Sequence, residues 1–251
     1  PLSSFFSKQI RFTRTPSLIF DVLLFGPTNS DFFTYDILCK MSSMVGLEGG
    51  FCFDEMPFTI QSRTMGGQFS AHVWTAITAG FVIAFPYVLY EFWKFISPAL
   101  HTKERSTARG FIFISSLLFF LGVLFGYYLI TPLSINFLGK YQVSEKVLNE
   151  FDIGSYIGLV RSSVIACGLI FELPIVIYFL TKIGLVTPQF LRKYRKFALV
   201  IVLIISAIIT PPDILSQIIV AIPVLILYEI SILISRIVTK KEERKLRKQQ
   251  R

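Results

Sequence analysis

YEFWKFISPALHTKERSTAR, residues 90–109, is the stretch whose reading decides the fold. An apolar run, residues 73–89, leads into it, and a second, residues 111–130, leads out. Within it Trp93 and Phe95 precede Pro98, and Lys103, Glu104, Arg105 and Arg109 follow. Aromatic rings gather at the headgroup level of a bilayer, and basic residues just beyond them mark a cytoplasmic loop. The stretch therefore reads as a turn at a membrane surface in which one carboxylate, Glu104, sits among cations. Two roles are open to it: an ion pair inside the loop with Lys103 or Arg105, or a docking point for a basic peptide.

The composition agrees with a membrane protein. The 251 residues are 53% hydrophobic and 15% aromatic, and the mean hydropathy is +0.63. Apolar runs at about residues 68–90, 110–133, 153–180 and 214–234 approach the roughly 20 residues needed to cross a bilayer. A fifth, residues 197–210, holds 14 residues, about 21 Å of helix. The net charge of +9 is concentrated rather than spread: residues 236–251 carry eight cations and two acids, and residues 1–17 three cations and no acid. A tail and loop bias of this kind argues against a nucleic-acid face, and neither a nucleic-acid motif nor an internal repeat is visible. The expected fold class is all-α, a polytopic helical membrane protein.

Charge also sets the topology. The loops at residues 91–109, 182–196 and 236–251 carry four, five and eight cations, whereas those at 27–65 and 134–152 carry two each. The alternation makes the first set, and the C-terminus, cytoplasmic. Five spans then leave residues 27–65 outside, so a further span is expected before Pro27. Residues 17–25 read as the end of that span, the rest of it missing or truncated. Residues 1–17 lack the apolar core of a signal peptide. The domain expectation is one membrane domain, residues 1–238, and a basic cytoplasmic tail, residues 239–251.

Residues 27–65 read as a long polar outer loop with Cys39 and Cys52 thirteen positions apart. On an oxidising face two cysteines close a disulfide, adding about 3 kcal/mol by the chain-entropy estimate; two unpaired thiols are the alternative. The expectation is that they are bonded, with Cys167 reduced inside a span. The spacing makes no zinc ligand set, and no cofactor or metal is expected.

Polar residues inside the spans stand out. Gly122 and Gly126, four apart, offer a small-residue face for close helix contact, or are merely tolerated flexible positions. Asp152 reads as the N-cap of the helix that follows. Arg161 lies a little over two turns in and can snorkel outward. Glu172 is deeper, just before Pro174, and an ionisable group at that depth is a functional candidate; the alternative is an acid bonded to a carbonyl freed by the proline. Asp213 reads as a helix N-cap after Pro211-Pro212, and Gln217, one turn on, needs a partner because an amide facing lipid is costly. An intramembrane protease using Glu172 and Asp213 would need two carboxyls at one depth sharing a proton, and the topology sets them apart. An ion-coupled secondary transporter with Glu172 as its site would normally carry an internal repeat. No catalytic activity is expected.

The motifs FWKFISPAL and HTKER in the first loop, FELPIVIYFL, and TPPDILSQIIVAIPVLILYEI occur in an order and spacing that resemble the TatC family. TatC is the multispanning receptor of the twin-arginine, Sec-independent protein export system, and the resemblance covers about residues 18–238. It implies six helices with both termini cytoplasmic in the bacterial inner membrane. It also implies binding of twin-arginine signal peptides, TatB-like and TatA-like partners, a homo-oligomeric receptor complex, and export of folded proteins driven by the proton-motive force. By motif match it assigns signal-peptide binding to Phe95, Leu100, Glu104 and Arg105, and an intramembrane polar face to Glu172, Asp213 and Gln217. The family also carries a carboxylate before its first helix. Residues 1–17 hold no Asp or Glu, so an incomplete copy of the receptor is expected.

Overall fold

The structure, a computed structural model, describes residues 24–29, 32–44, 58–96, 108–144, 146, 149–210 and 214–249. A single 3-10 turn, Gly26–Thr28, precedes helix α1, Phe33–Met44, and strand β1, Thr59–Gln61. Helices α2, Gly67–Ile96, and α3, Ala108–Phe125, follow; a π-helical turn, Gly126–Ile130, joins α3 to α4, Thr131–Lys140. Strand β2, Glu150–Asp152, leads into α5, Ile153–Phe171, and α6, Leu173–Lys182. Helices α7, Pro188–Lys193, α8, Arg195–Ile209, and α9, Ile214–Gln249, complete the order. Among the described residues, four stretches are long and apolar enough to cross a membrane: Gly67–Phe95, Ile112–Lys140, Ile153–Lys182 and Gln217–Arg244. Helix α8 has 15 residues, about 22 Å, and is shorter than a hydrocarbon core.

Several elements depart from the sequence expectation for identifiable reasons. The 27–65 loop contains α1 and β1, whose mixed polarity has no clean period. The second span does not stop at residue 133. Pro132 cannot donate a backbone hydrogen bond one turn back; the helix passes through the π turn just before it and continues to Lys140. The third span breaks at Glu172, where α6 starts afresh with Pro174 in its first turn and the Glu172 carbonyl accepts from the N–H groups of Ile175 and Val176. The last helix runs past residue 234 to Gln249, so most of the basic tail is helical.

The chain forms two compact units: Pro1–Ala71 with Thr131–Val160, and His72–Ile130 with Arg161–Arg251. In the first, β1 and β2 pair in parallel, Ile60 opposite Phe151. Arg63 fastens the pair, donating from Nη2 to the Glu150 carbonyl at 2.9 Å and from its backbone N–H to Asp152 Oδ1 at 3.1 Å. Asp152 Oδ2 accepts from the Gly154 N–H at 2.9 Å, so Asp152 caps α5 as its sequence position suggests. These backbone donors, Arg63 first and then Gly154, hold the Asp152 carboxyl below its ordinary value. A lowered folded-state value means the contribution is present at neutral pH and is lost as the pH falls through it. Phe58 packs edge-on to Phe151 and lies against Gly139, where a Cβ would fall 2.6 Å from the ring. The buried Tyr35 hydroxyl donates to the Pro27 carbonyl at 2.8 Å, with the Pro132 carbonyl at 3.3 Å. Burial pushes that phenol well above its ordinary value. Tyr156 donates to the Leu24 carbonyl, and its ring stacks on Phe25.

The second unit is built on a helix seam. Along α3 and the π turn, Ser115, Phe119, Gly122 and Gly126 are buried, while Phe113, Leu117, Leu121 and Leu124 are exposed. The three- and four-residue spacing puts the buried set on one helix face. Lipid is as apolar as leucine, so helices associate in it by shape rather than by the hydrophobic effect. The shape here is close contact. A Cβ on Gly122 would lie 2.5 Å from the Cys167 carbonyl oxygen and 2.8 Å from Gly168 Cα, and one on Gly126 would lie 2.7 Å from the Ser163 carbonyl oxygen. Gly168 in turn admits the Phe119 ring, which a Cβ there would meet at 2.7 Å. Phe119 stacks on Phe85 of α2 with centroids 3.4 Å apart.

Gly122→Ala and Gly126→Ala should each lower stability in detergent by about 1–3 kcal/mol, the usual cost of overpacking. Gly80, also in a helix, has nothing within 4 Å of an added Cβ, so Gly80→Ala should be neutral or gain up to about 1 kcal/mol. Thermal unfolding of the three variants checks this; equal midpoints would remove the seam.

Candidate functional site

Glu172 sits where α5 gives way to α6. Pro174 interrupts the helix there, and the carboxyl, buried at the break, meets α3. Ser115 Oγ donates to Glu172 Oε2 at 2.5 Å, and Oε1 has no hydrogen-bond partner among the described residues. The predicted alternative, a bond to a freed backbone carbonyl, is replaced by this side-chain contact from another helix. Ser115 was not singled out from the sequence. Its signal was the Ser115-Ser116 pair in the middle of FIFISSLLFF, on the same stripe as Gly122 and Gly126. On either side of the break, Ile170 and Leu173 pack against the buried cluster of Val202, Ala221 and Val224 from α8 and α9.

Gln217, near the start of α9, donates from Nε2 to the Leu203 carbonyl of α8 at 3.0 Å. This accounts for an amide in an apolar span. No described hydrogen bond joins Gln217 to Glu172; the two sit on helices that share an apolar core. Nearby, Cys167, Ile130 and Val220 form a buried cluster with Phe125 and Ile209 packed on it. Asp213 lies outside the described residues. Arg161 does not simply reach for water: its guanidinium carbon lies 4.4 Å from the centre of the Trp74 ring of α2.

At the other end of α2 the first loop begins. Trp93, read from sequence as a headgroup-level ring, is 5% exposed and packed on Phe179. Phe95 is 84% exposed, open to a partner or to the interface. Leu100, Glu104 and Arg105 lie outside the described residues. The next loop on the same side is braced: Arg195 donates to Glu229 at 2.7 Å, and the Tyr228 hydroxyl to the Leu191 carbonyl at 2.8 Å. Of the cysteines, Cys39 is disulfide-bonded and Cys167 is a free, buried thiol. Cys52 lies outside the described residues.

Chemically, the described site is one buried carboxyl with a single hydroxyl donor and one unused acceptor oxygen. Such a group can accept a hydrogen bond from a polar or cationic element entering the membrane. Among the described residues there is no cluster of three metal-ligating side chains.

The family model described as TatC, Sec-independent protein translocase protein, matches residues 5–223. The chain is 46% identical over 227 residues to the Sec-independent protein translocase protein TatC of Blattabacterium sp. subsp. Periplaneta americana, covering 90% of this chain and 85% of that one. It is 41% identical over 169 residues to the TatC of Aquifex aeolicus, covering 67% and 70%. A crystal structure of the twin-arginine translocase receptor TatC superposes with a TM-score of 0.61 at 32% identity, covering 92% of this chain and 99% of that one.

Ser115→Ala leaves a buried carboxyl oxygen without its donor and should cost about 1–3 kcal/mol. In a Glu172→Gln background the same substitution should cost less than half as much, since the partner is no longer an acid. A double-mutant cycle on detergent unfolding measures the coupling; additive effects would show that the 2.5 Å contact contributes nothing.

Proposed function

The chain belongs to the TatC family of Sec-independent protein translocase proteins and is a multi-pass helical membrane protein; on that premise we propose that it is the receptor for twin-arginine signal peptides. The observation that carries the reading is the match, over nearly the whole of both chains, to a structure described as the twin-arginine translocase receptor. In this reading Glu104 takes the arginine pair through forked, charge-assisted hydrogen bonds, with Phe95, Leu100 and Arg105 forming the rest of the patch. Glu172, Asp213 and Gln217 form the polar face within the membrane. The buried Glu172 carboxyl, with one oxygen to spare, supports that assignment, as does the exposure of Phe95.

The receptor works with TatB-like and TatA-like subunits, and with further copies of itself, to export folded proteins at the expense of the proton-motive force. It lies in the bacterial inner membrane with its C-terminus cytoplasmic, residues 1–238 forming the membrane domain and residues 239–251 a basic tail. The alternation of four, five and eight cations with two and two along the loops supports this orientation. Residues 27–65 then face an oxidising compartment, and Cys39 pairs with Cys52. The disulfide-bonded state of Cys39 and the free state of Cys167 support that pairing.

Two measurements test the reading. Mass spectrometry of the non-reduced protein should recover a linked peptide containing Cys39 and Cys52; alkylation of both thiols under oxidising conditions would reject the bond. Glu104→Ala should weaken crosslinking of a twin-arginine signal peptide in membrane vesicles roughly ten- to a hundred-fold, the equivalent of about 1.5–3 kcal/mol for a charged hydrogen bond. Glu104→Gln should fall between the two, and Glu104→Arg should be worst. Equal crosslinking by Glu104→Ala and the parent, at equal membrane abundance, leaves Glu104 as an ion pair within its own loop.

A further inference from the structure

Arg161 has no part in the function proposed above, and its surroundings do not explain it. It lies eight residues into the span that begins at Ile153, about 12 Å along the helix. That span is 30 residues long, about 45 Å, against a hydrocarbon core of about 30 Å. A centred span leaves about 7 Å of helix outside the core at each end. The Arg161 backbone is therefore about 5 Å below the hydrocarbon boundary, within reach of the headgroups for a snorkelling arginine. The Trp74 ring, seven residues into the span that begins at Gly67, lies under the guanidinium at a centre distance of 4.4 Å and is 49% exposed.

The ring attracts the cation by its quadrupole but carries no net charge. No described ion pair includes Arg161, and none of its guanidinium N–H groups donates to a described acceptor. A half-buried guanidinium in a span thus keeps its five donors and its charge, with its central carbon over an indole. Guanidinium is a planar fork suited to an oxyanion. At this depth the abundant oxyanion is the lipid phosphate.

We infer that Arg161 and Trp74 form a binding site for the phosphate of a phospholipid in the leaflet at the Ile153 end of the span. Trp74 holds the guanidinium plane in place, and the fork donates to the phosphate oxygens. The lipid neutralises the charge that the helices leave uncompensated. Its acyl chains lie along the exposed apolar surface of α2, where Ile77 and Phe81 follow Trp74.

The test is native mass spectrometry of the full chain released from nanodiscs of defined lipid. With phosphatidylglycerol, the parent should retain one phospholipid that Arg161→Gln loses, and Arg161→Lys should retain it at reduced occupancy, because an ammonium is a point charge without the fork. The parent alone supplies a second comparison, independent of how well the variants fold. It should not retain monogalactosyl diacylglycerol, which lacks phosphate, and inorganic phosphate in the buffer should not displace the retained phosphatidylglycerol. Displacement by inorganic phosphate would make the site one for free phosphate. Equal retention by Arg161→Gln, or equal retention of the glycolipid, would overturn the proposal.

Discussion

The close approach of α3 to α5 is the constraint on which the membrane unit depends. Within lipid no hydrophobic drive brings helices together, so contact depends on surfaces that fit. Gly122 and Gly126 let α3 reach the backbone of α5, and Gly168 of α5 lets Phe119 reach back. Ser115 is on the same buried stripe, one helical turn before Phe119. Once the glycines have set the separation, Ser115 Oγ falls within hydrogen-bonding reach of the one acid buried in these spans, Glu172. The packing of small residues and the placing of a carboxyl are one event.

The break at Glu172 completes the arrangement. A helix interrupted by Pro174 cannot keep its backbone ladder, and the turn that results directs the acid away from lipid and into the seam. Around it, α8 and α9 close the core through Val202, Ala221 and Val224, and Gln217 binds one helix to the other through the Leu203 carbonyl. The remaining loop contacts are anchors of a different kind. Arg195 with Glu229, and Tyr228 with the Leu191 carbonyl, tie α7 and α8 to α9.

Much of this was legible in the sequence where a single signal dominates. Long apolar runs locate the spans, because nothing else satisfies a bilayer of fixed thickness. Gly122 and Gly126, Asp152 before α5 and the proline after Glu172 each point to the local feature found. What the sequence does not disclose is partnership between helices. Helical spacing puts Ser115 on the stripe of Gly122 and Gly126, but nothing in FIFISSLLFF says that this stripe faces an acid more than fifty positions on. The guanidinium of Arg161 could have reached for water; only the neighbouring helix places Trp74 beneath it. Helix α1 was hidden because FTYDILCKMSSM mixes polar and apolar residues without a clear period. The packing of Trp93 on Phe179 is another such partnership.

Infrared spectroscopy of the Glu172 carboxyl tests most directly whether the glycine seam places that group. The relevant band is the one lost in Glu172→Gln. It should shift in Ser115→Ala, which removes the donor, and shift in the same direction in Gly122→Ala, which leaves both partners in the chain but forces the helices apart. A band unchanged in Gly122→Ala, with the protein folded, would contradict the account and make the Ser115–Glu172 contact independent of the seam.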